Sequence, residues 1–122
     1  MNSEDQLLGP LSEAWELTFK KGQLSFWVLL SLKDGEKYLE EIQSFIQIRS
    51  SNRLSYDEQS VYRTLRKFTD LELMTFDLHQ SSKGPNRKRF QISELGKTLL
   101  QQFIERNISI FYNPELIQII NK

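Results

Sequence analysis

Between residues 74 and 92 the hydrophobic repeat changes period, and this constrains the fold more than any other feature of the chain. Met74, Phe76 and Leu78 alternate with Thr75, Asp77 and His79. After a turn at Lys83-Gly84-Pro85, Lys88, Phe90 and Ile92 alternate with Arg89 and Gln91. Period two is the signature of a half-buried strand, and Gly-Pro between two such runs predicts a β-hairpin. Everything before the hairpin repeats at helical spacing.

Gly9-Pro10 reads as a turn. Leu11, Ala14, Trp15 and Thr18 then follow a helical period, broken at Lys21-Gly22. Leu24–Leu32 is apolar nearly all round, as in a helix buried on most sides, and Lys33-Asp34-Gly35 ends it. A third helix is predicted near 36–49, with Leu39, Ile42, Phe45 and Ile46 inward. Ser55-Tyr56-Asp57-Glu58 has the spacing of a capping box, with Ser55 as cap of a fourth helix to about Thr69. Val61, Leu65 and Phe68 form the inner stripe of that helix. Ser93 is placed to cap a helix carrying Leu95, Leu99, Phe103 and Ile104, and Asn113-Pro114 to start a last short one. The fold class is mainly α with a small β-hairpin: a winged helix-turn-helix with extra N- and C-terminal helices.

Residues 1–10 are expected to be a flexible N-terminus and 11–122 a single domain. Within it, 20–92 would be a DNA-binding unit, and 11–19 and 93–122 dimerisation helices. The chain has no cysteine, which excludes disulfides and thiolate metal sites and fits a reducing cytoplasm. No apolar run is long enough for a bilayer. His79 is the only histidine, so no metal site is expected. Neither a Ser-His-Asp arrangement nor a phosphate-cradling glycine loop is visible, which argues against an enzyme. No catalytic residue and no cofactor is expected, and no small-molecule effector is identifiable.

Net charge is zero but unevenly spread. Residues 1–48 carry four Lys/Arg and eight Asp/Glu; residues 49–89 carry nine and five. A local basic patch is the electrostatic footprint of a phosphate partner. On the fourth helix, Gln59, Tyr62, Arg63 and Arg66 share a stripe distinct from the apolar one, and each can donate a hydrogen bond. Arginine suits phosphate or the guanine O6/N7 edge, and glutamine suits adenine. The hairpin tip and return strand, Lys83 to Arg89, hold four cations and no acid. Charged edges also block aggregation, but that does not require charge of one sign. Solvation of the helix, with Asp70 and Glu72 neutralising its arginines, is the competing account.

Lys21-Gly22-Gln23-Leu24, Leu29-Leu30-Ser31-Leu32, Leu54-Ser55, Ser60 to Phe68, and above all Gly84 to Lys97 occur in an order and spacing that resembles the PadR family of bacterial transcription regulators. The likeness covers about residues 20–106. It implies a homodimeric repressor whose wing touches double-stranded DNA, with Tyr62, Arg63, Lys67, Arg87 and Lys88 at DNA-facing positions. The short segment after residue 93 is similar to the compact members, among them a cyanobacterial clock-associated type. Two departures stand out. The family's H-G-Y-E-I run is Tyr38-Leu39-Glu40-Glu41-Ile42 here. Drug-binding members carry a tryptophan in the C-terminal helix, whereas Trp15 and Trp27 both precede the hairpin.

The expected DNA-contacting set is Ser55, Gln59, Ser60, Tyr62, Arg63, Arg66, Lys67, Lys83, Asn86, Arg87, Lys88 and Arg89. Both chain ends are too apolar to be free in water. Trp15, Phe19, Phe103, Ile108, Phe111, Leu116, Ile117 and Ile120 are expected at a homodimer interface, the alternative being that they fold back on their own core. The implied setting is the bacterial cytoplasm, at the nucleoid. A winged-helix module whose basic patch meets an acidic protein is the alternative function.

Overall fold

The computed structural model describes residues 3–122. Helices α1 (Ser3–Lys21), α2 (Leu24–Lys33), α3 (Leu39–Arg49) and α4 (Glu58–Asp70) precede the hairpin strands β2 (Met74–His79) and β3 (Arg87–Ile92). Helix α5 (Glu94–Asn107), a 3₁₀ turn (Ser109–Tyr112) and α6 (Pro114–Ile120) complete the chain. A two-residue strand, β1 (Lys37–Tyr38), pairs with β3, so the sheet is antiparallel in the order β1-β3-β2.

The core lies between α2, α3, α4 and the inner face of the sheet. Val28, Ile42, Val61 and Leu65 are fully buried there, with Phe90 from β3 and Leu100 from α5. Met74 faces Ile92 and Phe76 faces Phe90 across the hairpin, as the alternation requires. Phe26 meets Phe103 at 5.5 Å, joining α2 to α5. Lys37 Nζ donates to Ser31 O at 2.7 Å and pairs with Asp34, placing a cation at the C-terminal end of α2.

Several boundaries differ from expectation. Gly9-Pro10 is not a turn: α1 runs through it from Ser3. Helix α1 buries no residue, so the carbonyl left without its partner by Pro10 is open to water, and Gly9 presents no Cβ to the proline ring. Residues 1 and 2 of the expected N-terminal arm lie outside the described residues. Ser55 does not cap α4; Asp57 does, its Oδ1 accepting from Ser60 N–H at 2.6 Å. The preceding segment is irregular and is tied to its neighbours instead. Leu54 is buried, Gln43 Nε2 donates to Tyr56 O at 3.1 Å, and the Tyr56 hydroxyl donates to Lys20 O at 3.3 Å. Burial raises the Tyr56 pKa above its usual 10.0.

Helices α3 and α4 end alike. Asn52 N–H reaches back to Gln47 O, and Leu73 N–H to Phe68 O. Each reversal needs a left-handed residue, supplied by Ser51 at φ 55° and Glu72 at φ 62° without glycine. The α4–β2 turn then receives α5. Ser93 N–H donates to Leu73 O at 3.0 Å, and the Ser93 hydroxyl donates to Glu72 O at 2.7 Å. Ser93 Oγ in turn accepts from Gly96 N–H at 3.0 Å, capping α5 as expected.

Candidate nucleic-acid interface

Helix α4 positions the first half of the site. Its 13 residues span about 20 Å at 1.5 Å per residue, a rod that fits a major groove about 12 Å wide. Burying Val61 and Leu65 turns Gln59, Tyr62, Arg63, Arg66 and Lys67 outward, all exposed. Among the described residues none of these three cations forms a salt bridge, so neither Asp70 nor Glu72 is directly paired with one of them. Ser60 is half-buried, its N–H committed to the cap. Ser55 is exposed, just before the helix. Two backbone and side-chain hydrogen bonds from Ser60, with a smaller contribution from Arg63, lower the Asp57 pKa below its usual 3.8.

The hairpin supplies the second half, and strand parity divides its cations. Lys88 lies on the inner face with Phe76 and Phe90. Its ammonium is 4.5 Å from the Phe76 ring centroid and 5.8 Å from that of Tyr62. The wing therefore reaches the outward face of α4 at Lys88 and Tyr62. Between them lies an open cleft of about 410 Å³, lined also by Arg66, Thr69 and Asp70. Lys83 and Asn86 are exposed in the loop between β2 and β3.

Arg87 and Arg89 point the other way. On the opposite face of the sheet, the Arg87 guanidinium lies 3.9 Å from the Tyr38 ring centroid and pairs with Glu40. Arg89 lies 5.5 Å from the same ring and 3.4 Å from Glu36 Oε2. His79 packs edge-on against Tyr38 from β2. The four wing cations are thus not one set: Lys88 joins α4, whereas both arginines are held by their own chain. Glu36, Tyr38 and Glu40 were not among the residues expected at the site. The odd-numbered parity of Arg87 and Arg89 was the available signal.

Most apolar side chains of the two ends stay off the core, although Phe103 lies against Phe26 and Ile104 packs on the core. Trp15 is 77% exposed, and Phe19, Phe103, Phe111, Ile117 and Ile120 are exposed as well, with Ile108 and Leu116 half-buried. Among the described residues no helix is long and apolar enough to cross a membrane, and no group of three or more His, Asp or Glu side chains is arranged to hold a metal.

The family model for the transcriptional regulator PadR-like family matches residues 28–102, from the buried helix α2 through the wing and into α5. The chain belongs to the PadR-like family of transcriptional regulators. That is a family of regulators rather than of enzymes. The fold is shared with solved members. A PadR-like regulator from Bacillus cereus is 22% identical with a TM-score of 0.66, over 86% of this chain and 98% of that one. A PadR family regulator from Eggerthella lenta is 14% identical with a TM-score of 0.72, over 83% and 86%. PadR from Bacillus subtilis, solved in complex with operator DNA, is 23% identical with a TM-score of 0.61. The match covers 66% of this chain and 46% of that protein, so it spans less than half the Bacillus subtilis protein's length. No curated protein matches. The narrower likeness to the clock-associated compact type is not supported; the match is to the family at large.

Proposed function

We propose that the protein is a homodimeric repressor that binds operator DNA with α4 in the major groove and the wing beside it. The observation that carries this reading is the approach of Lys88 to Tyr62, which brings the wing and the outward stripe of α4 to one side. Gln59, Arg63 and Arg66 are the proposed base readers. Tyr62, Lys67, Lys83, Asn86 and Lys88 are the proposed phosphate contacts, with Ser55 and Ser60 at the N-terminal end of the same helix. The operator complex of the Bacillus subtilis relative lends support from a shared fold. Such a protein works where the chromosome is, in the bacterial cytoplasm.

The apolar ends support the dimer. On α1, Leu8, Leu11, Trp15 and Phe19 recur every three or four residues on one face and are all exposed. Together with Phe103, Phe111, Ile117 and Ile120 they leave far more apolar surface in water than a monomer normally tolerates. A two-fold dimer would cover it and repeat α4 along the duplex, as paired half-sites require. Bound DNA would then exclude polymerase.

The test is an anisotropy titration with genomic fragments that include the protein's own promoter region. With about three phosphates neutralised per subunit, log K should fall against log salt with a slope near −5 per dimer. Binding that ignores salt, or a monomer in sedimentation, contradicts the proposal.

A further inference from the structure

The wing's two arginines are already engaged. In winged-helix recognition as proposed above, cations beside the hairpin tip grip the phosphate backbone. Here Arg87 is paired with Glu40 at the start of α3, and Arg89 lies next to Glu36 in the loop before β1. Tyr38 lies under both guanidinium groups, and its register opposite Arg89 is fixed by β1–β3 pairing. The two carboxylates therefore come from a segment that the sheet itself anchors beside the wing. All four charged side chains remain partly exposed, so the pairs are of the weak, exchangeable kind. Arg89 is held the more loosely. Its Nε is buried, yet the carboxylate 3.4 Å away is not aligned to accept its hydrogen.

We propose that Glu36 and Glu40 restrain DNA affinity by holding Arg89 and Arg87 on the sheet face turned away from α4, so that these arginines reach phosphate only by exchanging a carboxylate for it. The proposal rests on the DNA-binding reading. It makes Glu36 and Glu40 positioning residues that act through arginines. Their carboxylates take up salt cations as the arginines leave, which cancels part of the counterion release from DNA. Wild-type binding is therefore weaker, and less sensitive to salt, than the number of wing cations implies.

The experiment compares the wild type with Glu36→Gln, Glu40→Gln and the double variant on a random-sequence duplex of about 30 base pairs, across a range of salt. Each single variant should bind roughly two- to fivefold tighter and the double variant roughly tenfold. The salt slope should steepen by roughly one to two for each subunit. Removing any acid near DNA raises affinity somewhat, so the deciding arm is a cycle with Arg87→Ala. In that background Glu40→Gln should lose most of its gain, because the arginine it releases is gone. A gain of the same size with and without Arg87, or no gain in either variant, overturns the restraint while leaving DNA binding intact. A folded, dimeric wild type that binds no duplex at all overturns the DNA-binding reading and the restraint with it.

Discussion

Gly96→Ala should damage the protein far more than its chemistry suggests. A Cβ at this position would sit 2.1 Å from Leu73 O and 2.8 Å from Ile92 Cγ1. The first contact is with backbone and falls more than an ångström short of ordinary packing, so no side-chain rotation relieves it. The start of α5 must lift from the α4–β2 turn. That lift strains the bond from Ser93 N–H to Leu73 O and the one from the Ser93 hydroxyl to Glu72 O. Each is worth about 1 kcal/mol, and overpacking of this kind costs about 1–3 kcal/mol. Alanine's better helix propensity returns about 1 kcal/mol. The net loss is about 2–4 kcal/mol, or a fall in Tm of roughly 10 °C for a domain of this size. Thermal unfolding followed by circular dichroism measures it at a fixed protein concentration. Gly22→Ala is the control, since nothing lies within 4 Å of a Cβ there. A Gly96→Ala protein that melts with the wild type would refute the reasoning.

Other perturbations probe the interface and the ends. Arg63→Ala should weaken binding to a specific fragment by about 1–3 kcal/mol and random DNA much less; equal losses on both would make Arg63 a phosphate contact. Asp57 is held below its usual pKa, so its contribution is present above the ordinary carboxylate range and lost as pH falls through its lowered value. Acid unfolding of Asp57→Asn should lack that component, whereas Tyr56, whose pKa is raised, should cost stability only as pH climbs past 10.0. Trp15→Glu places a charge in the apolar stripe of α1 and should shift sedimentation toward monomer while leaving far-UV circular dichroism little changed, because Trp15 touches no core.

The elements that the sequence made legible are those whose signal is local. The all-apolar run of α2, the alternation of β2 and β3, and the caps at Ser93 and Asn113 each follow from a few adjacent residues. The misplacements occurred where distant partners decide. Ser55 has the better capping spacing, but bonds from Gln43 and to Lys20 tie Tyr56 outside the helix, and Asp57 takes the cap. Strand β1 has two residues, too few for a period, and exists only because Phe90 and Arg89 lie opposite. The geometry of the candidate site was half legible. The stripe from Gln59 to Arg66 followed from helical spacing, whereas grouping Lys88 with Arg87 and Arg89 ignored that neighbours on a strand face opposite ways. Glu36 and Glu40 became visible as their partners only once β1 was placed.

The most direct measurement is a titration of isotope-labelled protein with a short duplex, followed by nuclear magnetic resonance. Signals from Gln59, Tyr62, Arg63 and Arg66 on α4 and from Lys88 on the wing should move together, with one midpoint, as DNA is added. Movement confined to one of the two elements, or centred instead on α6, would contradict a shared DNA-binding face.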